Sequence, residues 1–157
     1  MAVDFLLWGL FIVGGAGDAD PPMVTATNPE GIAALLQSEG YAAKIEKTAD
    51  GEPVIRSKSS GSNFAVYFYN CKDGKDCATV QFSAGYDTST DKQPSLAKIN
   101  EWNRDKRFGN AYLDEENDPI IEMDVDLDDG GMSRALFVDN FEFWTSVMAE
   151  FEKHIGW

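Results

Sequence analysis

The densest run of potential metal ligands is DVDLDDGG at 124–131. A DxDxDG run opens a calcium loop, in which oxygens from alternate positions converge on the ion and a glutamate at position twelve closes the shell. Counted from Asp124, the twelfth position is Ala135, so the closing ligand is missing. Moreover, Ile121, Met123, Val125 and Leu127 alternate with Glu122, Asp124 and Asp126, the period of a half-buried strand. The single histidine, His154, falls in the last turn of a helical pattern with no nucleophile near it in sequence. It suits a surface residue at a helix C-terminus, and no Ser/His/Asp or Cys/His set can be assembled around it. The glycines match no phosphate-binding loop. The sequence therefore predicts no catalytic residues, no metal site and no cofactor, and a protein that is not an enzyme. Cys71 and Cys77 bracket KDGKD. A metal site needs more ligands than two, and a redox pair would be spaced more tightly. A structural disulfide formed in an oxidising compartment is the natural reading.

The rest of the composition bounds what such residues could serve. The 157 residues fit one domain able to bury a sizeable core. A net charge of −14 argues against nucleic acid and against anionic membrane surfaces, both of which need a cationic face. It leaves cationic peptides, basic protein patches and divalent cations, or simple solubility. Residues 5–13, FLLWGLFIV, form an apolar run of signal-peptide length, too short to span a bilayer, and Gly17-Asp18-Ala19 offers a small-x-small cleavage site before Asp20. No Lys or Arg precedes the run and Asp4 does, which departs from the usual signal; the alternative is a buried N-terminal strand. The expectation is a signal peptide over 1–19, a linker over 20–27, a domain over 28–157, no stable membrane span, and a periplasmic or secreted protein.

The elements that would position these residues follow in order. Thr27 or Asn28 caps a helix with Pro29 at its first position and Ile32, Leu35 and Leu36 on one face, stopped at Gly40. A hairpin turns at Asp50-Gly51. In SNFAVYFYNC, Phe64, Val66 and Phe68 share one face and Ala65, Tyr67 and Tyr69 the other. In CATVQFSA, Ala78, Val80, Phe82 and Ala84 oppose Thr79, Gln81 and Ser83. If Cys71 bonds Cys77, Tyr69 pairs with Thr79, Phe68 with Val80 and Val66 with Phe82, and both apolar faces fall on one side, with both cysteines among the tyrosines on the other. After the polar loop GYDTSTDKQ, a second helix places Leu96, Ile99 and Trp102 or Asn103 on one face. A hairpin with the turn EENDP follows, and a long helix carries Phe137, Phe141, Trp144, Met148, Phe151 and Ile155 at spacings of three and four. From Phe108 to Ser133 there are nine acids and no Lys or Arg, so this hairpin needs nearby cations or full solvation. Arg104, Lys106 and Arg107 are the candidates.

Two surfaces could receive a partner. Tyr67 and Tyr69 form an exposed aromatic patch if no helix covers them, and a second core layer if one does. Trp102, Arg104 and Arg107 could anchor an interface, since Trp and Arg dominate hot spots, or could brace the acidic hairpin.

The stretch at 99–127, INEWNRDKRFGNAYLDEENDPIIEMDVDL, resembles the YbjN-domain family of bacterial proteins. Gly40-Tyr41, the Asp50-Gly51-x-Pro53-x-Ile55 hairpin, Phe68-Tyr69-x-Cys71, VQFSA at 80–84 and the aromatic C-terminal helix fit the same pattern. The resemblance implies an α+β fold similar to type III secretion chaperones: an antiparallel sheet with helices on one side, in the order α-β-β-β-β-α-β-β-α, in chaperones that often dimerise. It implies a sensory-transduction regulator with no enzymatic activity, cofactor or catalytic residues; a protein or peptide partner, with a homodimer possible, is the expectation drawn from the reading as a whole. The chain departs from the family's cytosolic members in its expected export signal and its cysteine pair. The function expected is a non-catalytic binding or chaperone-like regulatory module of the bacterial cell envelope. The alternatives are a metal-responsive structural protein and an enzyme with an acidic site assembled from distant residues.

Overall fold

The computed structural model describes residues 23–88 and 93–157. The expected signal peptide, 1–19, lies outside the described residues, as does the start of the linker.

The chain begins with β1 (Met23–Val24) and α1 (Pro29–Ser38). Asn28 caps α1 by accepting a hydrogen bond from Gly31 N, and Pro29 fills the first position, where no N–H is needed. Four strands follow: β2 (Ala43–Lys47), β3 (Pro53–Ser59), β4 (Ser62–Tyr69) and β5 (Thr79–Gly85). Then come α2 (Leu96–Asp105), β6 (Asn110–Leu113), β7 (Pro119–Asp126), β8 (Met132–Ser133) and α3 (Arg134–Ile155). The α+β class and the expected element order are present. Two strands of two residues each, β1 and β8, are added, and they pair antiparallel. They are too short to show a period, and β1 lies in the stretch read as linker. Gly131 permits their approach: it has φ +78°, and a Cβ there would overlap the Val24 carbonyl oxygen.

The main sheet has six antiparallel strands in the order β2-β3-β4-β5-β7-β6. The register inferred from the cysteines is the one observed: Tyr69 opposite Thr79, Phe68 opposite Val80, Val66 opposite Phe82. On the inner face, Ile55, Phe64, Val66, Phe68, Val80, Phe82, Ile121, Met123 and Val125 form one core with residues from all three helices. The centre of that core is aromatic. Phe82 stacks on Trp144 at 5.7 Å between centroids, with Phe141 at 5.9 Å from Phe82 and Phe64 at 6.1 Å from Trp144. The spacing of three and four on α3 therefore buries Phe137, Phe141, Trp144, Met148 and Phe151, each side chain contributing about 1.5–3 kcal/mol. Leu96 departs from expectation. It is exposed, because it is the first helical residue after the Ser95 cap and stands clear of the sheet.

Cys71 and Cys77 form a disulfide. They do not lie on the tyrosine side as strand alternation predicts. Cys77 is buried in the core cluster, and Cys71 packs partly against it. The strands stop at Tyr69 and Thr79, and Asn70 and Asp76 take φ of 55° and 51°, so the pleat does not run through the cysteines. The loop GYDTSTDKQ also differs from its polar reading. Tyr86 is buried, its hydroxyl donates to Glu152 at 3.2 Å, and Thr88 donates to Asp118 from both its N–H and its hydroxyl.

Candidate functional site

All three helices contribute to the core beneath the inner face, and among the described residues none covers the outer one. The register composes that outer face row by row. Val54, Tyr67, Gln81 and Asp124 lie side by side across four strands; Tyr69, Thr79 and Asp126 make the next row, and Arg56, Ala65, Ser83 and Glu122 the row on the other side. Tyr67 and Tyr69 are thus solvent-facing, with ring centroids 6.5 Å apart, and Tyr69 is 42% exposed. A third tyrosine, Tyr112 of edge strand β6, joins them at 44% exposure. Alternation along the four residues of β6 was too short a signal to orient it.

The two halves of this face differ electrically. On the β2–β3 side two cations, Arg56 and Lys44, are already engaged. Arg56 donates to the Tyr67 hydroxyl at 3.2 Å, lies over the Tyr67 ring at 5.5 Å, and pairs with Glu46 at 3.7 Å. Lys44 also pairs with Glu46, at 2.8 Å, and holds that carboxyl below its ordinary range. On the β7 side the carboxylates meet only neutral donors. Tyr112 and Ser83 donate to Glu122 Oε1 at 3.0 and 3.2 Å, and Gln81 donates to Asp124 Oδ1 at 2.9 Å while accepting from Tyr69 at 3.2 Å. No ion pair among the described residues involves Glu122, Asp124 or Asp126. Burial, the Glu122 hydrogen bond and its charge push the Tyr112 phenol up to about 12; burial first, then Glu122, also raises Tyr69. Both remain neutral donors at ordinary pH. Tyr69, Tyr112, Gln81, Glu122 and Asp124 together line a shallow trough of about 540 Å³, open to solvent.

The other candidates resolve into architecture. Trp102 is 1% exposed, and its indole N–H donates to the Gly109 carbonyl at 2.8 Å, so it anchors the fold and not a partner. Asn103 forms two bonds with the backbone of Ala111, donating to its carbonyl and accepting from its N–H, both at 2.9 Å. Gly109 sits where a Cβ would meet Val147 at 2.6 Å. The basic residues do not brace the acidic hairpin. Arg104 pairs with the adjacent Asp105, Lys106 with Glu150 of α3, and Arg107 lies over Phe108. Of the three, Lys106, just past the end of α2, is the one that ties this helix to α3. His154 is half-buried, with Nε2 2.8 Å from the Lys98 carbonyl and its ring against Trp102, and is not the bare surface residue expected. In the EENDP turn, Asp114, Glu116 and Asp118 bring ligand-capable oxygens within 4.8 Å of one another, a grouping the sequence reading passed over. Asp114 and Asp118 are occupied in holding the turn and the loop before α2, since Asp114 accepts from the N–H groups of Glu116 and Asp118.

A helix-backed antiparallel sheet with an aromatic outer face makes this a small α+β domain. The comparison with known families agrees: residues 28–157 match the YbjN family, described as "Putative bacterial sensory transduction regulator". The chain belongs to that family, whose description is that of a regulator. No curated protein and no solved structure matches it.

Proposed function

We propose that this protein is a non-catalytic regulatory module of the bacterial cell envelope, acting by binding a protein or peptide partner on the outer face of its sheet. The observation that carries the reading is the cluster of exposed Tyr69 and Tyr112 with half-buried Tyr67 on the helix-free face of an antiparallel sheet. Tyrosine supplies a large, stiff, amphipathic contact at low entropic cost, the usual currency of binding surfaces. The trough is too open to enclose a small molecule, as substrate pockets do, but suits a polypeptide. An envelope location is supported by the apolar run at 5–13 and by the disulfide. Among the described residues no helix is long and apolar enough to cross a membrane.

A photo-crosslinking residue at Thr79, opposite Tyr69 in the trough, tests this in cells; the same residue at Leu136, on the exposed side of α3, is the control. The expected result is a discrete covalent product from Thr79 in the envelope fraction. Crosslinks from Leu136 alone would refute the face as the binding surface, and a product confined to the cytoplasm would refute the location.

A further inference from the structure

The partner's chemistry can be taken further, resting on the reading of the sheet face just given. We infer that the trough between Tyr69 and Tyr112 receives an arginine or lysine side chain from a cationic polypeptide segment laid across β5 and β7. Three observations converge on this. First, Glu122 and Asp124 are neighbours on one face of β7, the hydrogen bonds made to them come from uncharged donors, and among the described residues no cation pairs with them. Second, an exposed tyrosine stands on each side, with hydroxyls directed to Gln81 and Glu122, leaving the rings beside the carboxylates. Aromatic rings flanking acidic groups are the arrangement that recognises organic cations, through ring quadrupole and charge together. Third, the net charge of −14 draws a cationic chain from a distance and repels an anionic one.

A second copy of this chain is the alternative occupant, and the observations disfavour it. Turned about an axis along the strands, the β2–β3 half of one copy would lie over the β7 half of the other. Of the cations it would bring, Lys44 and Arg56 are already spent on Glu46 and Tyr67, which leaves Lys58 of β3 to face two carboxylates. Two chains of net charge −14 also repel each other.

The probe is a fluorescein-labelled oligoarginine peptide, read by fluorescence anisotropy against the purified protein, with oligoglutamate as control. The wild type is expected to bind oligoarginine, with affinity falling as salt rises, and to ignore oligoglutamate. E122Q/D124N, which keeps the shapes and removes two charges, is expected to weaken binding by about tenfold or more. D128N/D129N removes the same charge outside the trough and is expected to change it by less than about twofold. Y69A/Y112A is expected to weaken binding by about fivefold, with unchanged circular dichroism showing that it folds. Equal losses from the two charge-neutralising pairs would mean diffuse attraction and would overturn the inference. So would protein concentration-dependent self-association abolished by E122Q/D124N. Sequencing the segment crosslinked from Thr79 separates this inference from the broader reading. A cationic segment supports both, a neutral or acidic one sinks the inference and leaves the face intact, and none sinks both.

Discussion

Asn103 offers the sharpest test of how the edge of the sheet is held. Its carboxamide accepts from Ala111 N–H and donates to Ala111 C=O, both at 2.9 Å, so one side chain does for edge strand β6 what a seventh strand would do. Asn103→Ala removes both bonds. Each backbone hydrogen bond contributes about 1 kcal/mol net, and the larger cost of a buried unsatisfied group does not apply, because Asn103 is exposed and water can enter behind alanine. The expected loss is about 2 kcal/mol, or roughly 4–8 °C in Tm for a chain of this size. Urea unfolding should show a lower midpoint with an unchanged slope. Asn103→Asp is the discriminating variant. It keeps the acceptor for Ala111 N–H but sets a carboxylate oxygen against the Ala111 carbonyl, so at neutral pH it should be at least as destabilised as Asn103→Ala. Below about pH 4 the carboxyl protonates and donates again, and the gap to wild type should narrow. An Asn103→Ala loss under about 0.5 kcal/mol, or an Asn103→Asp variant as stable as wild type at pH 7, would refute the paired-bond account.

Two further outcomes follow from the same geometry. Replacing Cys71 and Cys77 by serine is expected to cost about 2 kcal/mol from the small closed loop, with an additional loss because Cys77 is a core residue; alkylation of the native protein without reductant should label neither thiol, and ready labelling of both would refute the pairing. Stability should also fall as pH rises above about 10, because burial and the neighbouring Glu152 raise the Tyr86 phenol above its unfolded value. The native state then holds a proton the unfolded chain has lost, so this contribution is complete below the unfolded pKa and is lost on the alkaline side. Tyr86→Phe should cost about 1 kcal/mol at pH 7 and converge on wild type as pH rises; a gap independent of pH would show that the phenol does not titrate with unfolding.

How much of this was legible beforehand depended on the length of each pattern. The β4–β5 register could be read because six residues at 64–69 and seven at 78–84 alternate and the cysteine pair fixes their offset; a slip of one would have turned Phe68 and Phe82 to solvent. The face of α3 could be read because six apolar residues repeat over six turns. The same alternation failed at Cys71 and Cys77, since nothing in the residue types marks where Asn70 and Asp76 leave the β region. Two-residue strands carry no period, so β1 and β8 were invisible. Electrostatic partners were the least legible. Arg104, Lys106 and Arg107 are near the acidic hairpin in sequence, yet they turn to Asp105, Glu150 and Phe108, and the trough acids are held by Gln81, Ser83 and Tyr112, which carry no charge to attract notice. The tyrosine patch was visible as a pattern, but only the fold shows that the helices share the opposite side.

That placement limits how a partner can use the sheet. A helix-backed sheet offers two edges and one face. At the β6 edge Asn103 occupies the outward backbone groups of Ala111, and at the β2 edge Gln37 of α1 donates to the Ala43 carbonyl at 2.9 Å. Each edge thus carries a side-chain amide where an added strand would need free backbone, and Lys44 and Lys47 add charge to the β2 edge, a known defence against strand addition. Recognition by strand addition is disfavoured at both. The outer face remains, and there contact must be made by side chains: three tyrosines, a pre-paired arginine and two carboxylates that no cation among the described residues pairs with. Such a surface selects by charge and aromatic contact and not by backbone pairing. Asn103→Ala therefore has a second expected consequence: with the β6 edge unblocked, the variant should self-associate at high protein concentration through that edge. Oligoarginine binding at the face should be unaffected, because Glu122 and Asp124 stay where β7 puts them.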